Sequence, residues 1–497
     1  MELDMRSQPT PVRRPFARWA RRLRWQLPFV AVAGVVAAVT PLTSSTASHA
    51  ASAQPEGLVC ANGSTAPGGS ATPATPGTNP SFVLTARDGY ILTPDGNSVY
   101  MWGFSNGNEA FQNPGPVMCV HEGDTVTVTL RNTLPAVTSI VFPGIEGISA
   151  DGVPSSADLS SGSMTKAAAA NPASKPNAGL PGGQVTYRFV ADHPGTFLYE
   201  SGTNPQIQVQ MGLVGALVVR PTAGDNRVYD DPPAPATAGP SDLSNFSVFN
   251  ASNEYLHVLS EIDPDLHQAI EGGAAGYDLM KYKARYFFIN GRSFPDTVAP
   301  NFSAHVPAQP YGALVHVQPR NTTPGPDFNP LPALVRYLNV GPVSYPFHPH
   351  SNQERQIGLD GHELINPTAG TSGSPGDVSQ DRFALVVPPG QTMEGTFSWV
   401  DAQKWDPKTN QVGVILPDQQ ARTEGPYWSG SPYLGDHQNL ATGVTQYNQC
   451  GEMYHVAHSH ALFEATNYGL SMGGMLTMIR VDPPNSFAGH ANCKSEN

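Results

Sequence analysis

Apolar and polar residues alternate over Thr125–Leu130 (TVTVTL) and Val185–Val190 (VTYRFV), the period of a strand with one buried face. Gln206–Val209 alternates in the same way and predicts a further strand. Gly212–Val219 (GLVGALVV) is almost continuously apolar and reads as a buried strand whose glycines mark close backbone approach. Strand patterns resume at His257–Glu261, Tyr286–Asn290, Ala313–Val317, Leu334–Val340, Phe383–Val387 and Thr396–Val400, and Met475–Val481 closes the series. Residues 402–445 hold no sustained helical period. Short strands spaced by Gly/Pro turns predict an all-β protein built of sandwiches. Gly195–Val219 and Gly451–Val481 each run from a strand through a loop into a Met-Gly-containing apolar strand, which suggests two copies of one sandwich.

Composition agrees. Of 497 residues, 49 are Gly and 49 Pro, and only 13% are charged. Both residue types are poor inside helices, so a long bundle or coiled coil is excluded. The chain divides into a leader (1–50), a flexible Ala/Ser/Thr/Pro/Gly lead-in (51–80), a first domain (81–222), a Pro-rich linker (223–244), a second domain (245–484) and a tail (485–497). Ser160–Gly183 reads as a long insertion in the first domain.

The leader has a basic segment from Arg13 to Arg24, then the uncharged stretch Leu27–Val39, then Ala-x-Ala-like ends at Ser48-His49-Ala50 and Ala51-Ser52-Ala53. Thirteen residues are too few to span a bilayer, which needs roughly 20. The segment therefore predicts a secretory signal peptide, a secreted or extracytoplasmic location and no membrane span. Arg13-Arg14-Pro15-Phe16 also resembles the twin-arginine export pattern. The leader's seven arginines and two acids leave −18 on the remaining chain, against −13 overall. Such an acidic chain has no electrostatic footprint for nucleic acid. Four cysteines in an oxidising compartment suggest disulfides. Of three possible pairings, proximity in the domain map favours Cys60–Cys119 and Cys450–Cys493.

A series of short motifs follows this framework. The first domain offers Glu122-Gly123-Asp124-Thr125-Val126, Ala150-Asp151-Gly152-Val153-Pro154, Gly195-Thr196-Phe197-Leu198-Tyr199 and Met211-Gly212-Leu213-Val214-Gly215. The second offers Phe288-Ile289-Asn290-Gly291-Arg292, Tyr345-Pro346-Phe347-His348-Pro349-His350, Leu359-Asp360-Gly361, Pro389-Gly390-Gln391-Thr392, His458-Ser459-His460 and Gly473-Gly474-Met475. In order and spacing, over most of residues 85–482, the sequence resembles the multicopper oxidases, the laccase-like cupredoxin family, and within them the two-domain kind.

The resemblance implies two cupredoxin-like Greek-key sandwiches and two kinds of copper site. One is a type 1 copper held by a Cys thiolate, two His and often a Met; the other is a trinuclear cluster held by four His-x-His pairs. Residues i and i+2 of a strand share a face, so such a pair presents two imidazoles together, and imidazole suits copper. Only half of that set is present. The first-domain pair positions read Val141/Pro143 and Glu200/Gly202, whereas His348/His350 and His458/His460 are intact. Ser459 stands where the type 1 Cys belongs, and Tyr345 and Glu464 fall on the type 1 His positions. Met472 or Met475 matches the axial position. Ordinary laccase turnover is not expected from this set.

The candidate metal ligands are His348, His350, His458 and His460, four imidazoles on one wall that could hold copper or another transition metal, with Glu200 as a possible fifth donor. The rival reading is that the pairs are relics bonded to their neighbours. If the chain is an enzyme, it is a copper-dependent oxidoreductase acting on a small molecule, O2 or peroxide. The alternative is a non-catalytic secreted binding or cell-envelope protein on the same scaffold. The two-domain relatives imply a homotrimer. His455, His121, His193, His257, His316 and His362 read as structural.

Overall fold

The computed structural model describes residues 56–61, 79–171, 182–230, 247–273, 277–350, 352–366, 376–399, 413–415, 445–447 and 453–482. The protein is mostly β, as expected, and is built on one strand scheme used twice. In the first sandwich, Ser81–Leu92 pairs antiparallel with Ser98–Asn106 and parallel with Thr125–Asn132, which in turn pairs antiparallel with Gln184–Val190. In the second, Glu254–Ile262 pairs antiparallel with Tyr286–Ile289 and parallel with Ala333–Asn339, which pairs antiparallel with Thr392–Phe397. The facing sheets match as well. Met118–His121 runs parallel to Val214–Arg220, which pairs antiparallel with Gly195–Glu200. Likewise Val315–Val317 runs parallel to Leu476–Val481, which pairs antiparallel with Met453–Ser459.

Thr125–Asn132 shows why the sheets face each other. Its valines and Leu130 are buried while Thr125, Thr127, Thr129 and Arg131 are half-exposed. Its apolar face joins Phe82, Tyr187 and Phe189 from its own sheet and Phe197, Tyr199, Leu217 and Val219 from the opposite one. The second core is built likewise from Val335, Tyr337, Tyr345, Phe347, Ala457 and Ile479. Val214–Arg220 is buried on both faces. Its outer residues Val214, Ala216 and Val218 pack on Leu256, Val258 and Leu338 of the second sandwich, which explains its unbroken apolar run.

The seam between the sandwiches also holds charge. Arg220 and Arg336 both grip the buried carboxylate of Glu254, at 2.7 and 2.8 Å. Residues 56–61 strap the two together: Cys60 is disulfide-bonded to Cys119 as expected, and Leu58 N–H donates to Glu254 O at 2.8 Å. Cys450 and Cys493 lie outside the described residues.

Two expectations are corrected. Gln206–Val209 is not a strand: Pro205–Gln208 forms one short helical turn, with Gln208 N–H on Asn204 O and Val209 N–H on Pro205 O. Pro205 presets the helical φ and has no N–H for a sheet ladder, so the polar–apolar alternation there is incidental. The strand expected at Thr396–Val400 begins earlier, at Thr392, and ends at Phe397. The hairpin Ser81–Leu92/Ser98–Asn106 was not anticipated, although its Pro-Asp-Gly turn is a turn signal. Among the described residues no helix is long and apolar enough to cross a membrane.

Candidate metal centre

Two strands carry the four histidines. Tyr345–Pro349 pairs antiparallel with Met453–Ser459 in a register that sets Phe347 opposite Ser459 and His348 opposite His458. Phe347 and Ser459 are buried on the inner face, so the histidines project from the outer face. One further backbone bond at each end extends the ladder: His350 N–H donates to Val456 O (2.9 Å) and His460 N–H to Pro346 O (2.7 Å).

The four rings gather. Centroids lie 4.9 Å apart for His348–His350, 5.1 Å for His350–His458, 5.2 Å for His348–His460, 5.8 Å for His348–His458 and 6.0 Å for His458–His460. Phe383 stacks on His348 at 4.0 Å and meets the His460 ring at 5.3 Å. Backbone carbonyls fix two tautomers. His348 Nδ1 is 2.7 Å from Phe383 O, and His458 Nδ1 is 2.7 Å from Ser459 O. A carbonyl only accepts, so each Nδ1 carries the proton and each Nε2 keeps its lone pair. His350 Nε2 lies 3.0 Å from His458 Nε2, so His350 donates the proton of that bond.

Protonation of His350 and His458 is disfavoured. Burial, then the neighbouring imidazoles His458, His348 and His460, push His350 below its ordinary value. Burial also lowers His458, although the Ser459 carbonyl opposes it. Neutral imidazole is the form that binds metal. Two nitrogens held about 2.0–2.1 Å from one ion stand about 2.9–3.4 Å apart, and the His350–His458 spacing falls in that range. Among the described residues, no three His, Cys, Asp or Glu side chains already form a group that could hold an ion. The residues therefore fit a metal to this extent: His350 and His458 are the set pair, and His348 and His460 border it.

A cavity of about 710 Å³ opens against His348 and His350, with Phe383, Arg320, Arg355 and Asp381 in its wall. Arg320, Arg355 and the segment that carries Asp381 and Phe383 lie apart along the chain and left no motif in the sequence. Glu200 does not line this cavity. It belongs to the first sandwich, where its backbone bridges Val141, and burial raises its carboxyl to about 7.

The inner face of the same strand holds oxygen in place of sulfur. Ser459 Oγ–H donates to the buried Glu464 carboxylate; burial raises that carboxyl to about 7, against the lowering effect of the Ser459 bond. Tyr345 OH donates to Glu261 Oε2 and Tyr282 OH to Glu261 Oε1, both at 3.2 Å. Met475 is buried beside them in the second core, while Met472 is exposed. Apart from the exposed Met472, the Met475 thioether is the one soft metal donor among these described residues. Glu261 and Tyr282 were not singled out in the sequence.

Four other histidines among the described residues are engaged elsewhere. His455 stacks on Trp399, and His121 pairs with Asp225 at 2.9 Å. His257 is buried, with Nε2 3.0 Å from Ala313 O, and burial lowers it to about 4. His316 sits between Glu56 and Asp482.

A family model described as multicopper oxidase matches residues 90–166. Copper resistance protein A of Pseudomonas syringae pv. tomato is 35% identical over 118 residues, covering 24% of this chain and 16% of that protein. Laccase abr2 of Aspergillus fumigatus is 30% identical over 207 residues, 40% of this chain and 30% of that one. A copper-containing nitrite reductase of Pseudomonas chlororaphis is 33% identical over 113 residues, 22% and 26% of the two chains. The matched stretch thus spans less than a third of each curated relative. Among solved structures, the multicopper oxidase mgLAC covers 82% of this chain and 88% of its own at 17% identity and a TM-score of 0.48. The blue copper oxidase of Nitrosomonas europaea covers 80% and 84%, at 17% identity and 0.47. A multicopper oxidase family model thus matches part of the first sandwich, and three copper proteins align in sequence with parts of the chain.

Proposed function

We propose that this chain is an exported multicopper-oxidase-like protein that binds one transition-metal ion, copper first, through His350 and His458, with His348 and His460 as further imidazole donors. The observation that carries this reading is the pair of Nε2 atoms 3.0 Å apart, one of them on a ring whose Nδ1 is pinned by the Ser459 carbonyl. Copper so held would supply one-electron redox chemistry and Lewis acidity. The chain's own part is to keep His350 and His458 neutral, to aim His348 and His458 through the Phe383 and Ser459 carbonyls, and to offer the adjoining cavity to a small molecule, O2 or peroxide. With Ser459 bonded to Glu464, the reading is a copper-dependent oxidoreductase without a type 1 centre.

Elemental analysis and electron paramagnetic resonance of the copper-loaded protein test it. One tightly held equivalent is expected at this site, and His350→Ala/His458→Ala is expected to lose it. Protein that stays metal-free after loading sinks the reading. One observation favours a second one, a non-catalytic secreted or cell-envelope protein: the His350–His458 bond is complete without a metal. That reading gains if loading fails and the double variant folds unchanged. Export through a cleaved leader is tested by sequencing the N-terminus of the secreted form, expected near residue 51. The trimer implied by the family resemblance is tested by light scattering.

A further inference from the structure

Two other histidines meet across the seam. His193 precedes the first-sandwich strand Gly195–Glu200, and His362 follows the Asp360–Gly361 turn of the second sandwich. The turns touch because both carry glycine at positive φ, 145° at Gly195 and 75° at Gly361. A Cβ on Gly195 would lie 2.6 Å from Gly361 Cα, and a Cβ on Gly361 would lie 3.4 Å from His193 Nε2. Beside them Thr392 Oγ1 donates to Thr196 O at 2.7 Å and Thr196 N–H to Glu394 Oε1 at 2.9 Å, which fixes the two turns in place.

The imidazole rings lie 5.3 Å apart between centroids, inclined at 51°. His193 is braced edge-on by Phe197, 5.0 Å away. His193 Nδ1 is 2.8 Å from the Asp192 carboxylate, and His362 Nδ1 is 2.9 Å from Asp360 O. Both partners accept, so both Nδ1 atoms are protonated and both Nε2 atoms present lone pairs. His193 Nε2 is buried with no hydrogen-bond partner, a cost that native structures rarely leave unexplained. A carboxylate or carbonyl on the far nitrogen is the arrangement that orients metal-binding histidines. Two imidazoles sharing an ion at about 2.0–2.1 Å place their centroids about 4.5–5.5 Å apart, and this pair falls within that span.

We propose that His193 and His362 form a second metal site, a two-histidine clip for a divalent transition ion of the class that prefers imidazole (Cu²⁺, Ni²⁺ or Zn²⁺). Water completes the coordination, and the bound ion ties the first sandwich to the second. The site shares no residue with the His350–His458 pair and does not depend on that reading. An ion that binds the native seam and not the unfolded chain raises stability by mass action.

Copper titration of the full-length protein by calorimetry, with thermal unfolding at each copper concentration, tests the proposal. His362 is exposed, so His362→Gln leaves the metal-free unfolding temperature unchanged, and His193→Gln checks the other half. Each is expected to lose the seam's copper equivalent and that ion's share of the copper-dependent rise in Tm, while His350→Ala/His458→Ala loses only its own equivalent and keeps the seam's. Wild-type stoichiometry, affinity and Tm response in His362→Gln overturn the proposal. If the four-histidine reading alone fails, wild type binds the one seam equivalent and His362→Gln binds none.

Discussion

The Val141–Glu200 bridge of the first sandwich and the His348–His458 rung of the second occupy the same place in the same strand scheme. The backbone is unchanged between them: Val141 and Glu200 exchange both N–H···O bonds, at 2.9 and 3.1 Å. On the outer face, Val141 and Glu200 stand where His348 and His458 do. The inner-face neighbours Phe142 and Tyr199 are buried in the first core as Phe347 and Ala457 are in the second. Inner residues therefore hold the frame, and ligand positions can lose their imidazoles without loss of the fold. The space has closed in the first sandwich, since a Cβ on Gly202 would lie 2.6 Å from Val141 Cγ1.

Metal stoichiometry breaks the comparison most sharply. Val141→Ala/Glu200→Ala is expected to bind the same number of copper ions as wild type, and His350→Ala/His458→Ala one fewer. Loss of copper from the first-sandwich variant in elemental analysis would show that Glu200 is a ligand after all.

Glu200 makes the next largest difference. Burial raises its carboxyl from 4.5 to about 7, so between those values the folded chain binds more protons than the unfolded one, and stability falls as pH rises. Above pH 7 the full cost stands, on the order of 3 kcal/mol. Glu200→Gln removes the charge at little change in shape. In denaturant melts it is expected to be more stable than wild type at pH 8 and level with it near pH 4.5. Equal stability at pH 8 would mean that Glu200 has a charge partner in solution.

His316 extends the same pH dependence into a higher window. Burial opposes its cationic form, but Asp482 and Glu56 overcome this and raise it from 6.5 to about 9. For a raised base, the stabilisation is complete below 6.5 and is lost as pH climbs through 9. His316→Gln is expected to cost on the order of 3 kcal/mol at pH 6 and little at pH 10. Urea titrations at the two pH values measure it. A cost equal at both pH values would assign the effect to packing, not to the ion pairs that fasten residue 56.

Legibility followed the range of the interactions. Thr125–Asn132 and Gln184–Val190 were readable because one-sided burial writes itself as alternation. The His-x-His pairs were readable because two residues of a strand share a face. Gln206–Val209 misled, since four residues are too few to separate a strand from one turn begun by Pro205. Phe383, Arg355 and Glu261 approach the histidine strands from distant segments, and the meeting of His193 with His362 depends on two glycine turns 166 residues apart along the chain. No local pattern encodes such contacts.

The smallest effect separates the two faces of one strand. Ser459 points inward, bonded to Glu464, between two outward histidines. Its hydroxyl also accepts from Ala461 N–H at 3.3 Å. Ser459→Ala deletes both bonds, at a cost of about 1–2 kcal/mol. The Ser459 donor holds the Glu464 carboxyl down against burial, so its removal lifts that carboxyl above about 7. The donor serves the ionised form best, so the loss in unfolding free energy is expected to be larger at pH 9 than at pH 5. Copper stoichiometry is expected to stay at the wild-type value, because the hydroxyl faces away from the imidazoles. An equal loss at both pH values would show that Ser459 only fills space. A fall in bound copper would place it among the ligands, and the division of labour between the inner and outer faces would fail.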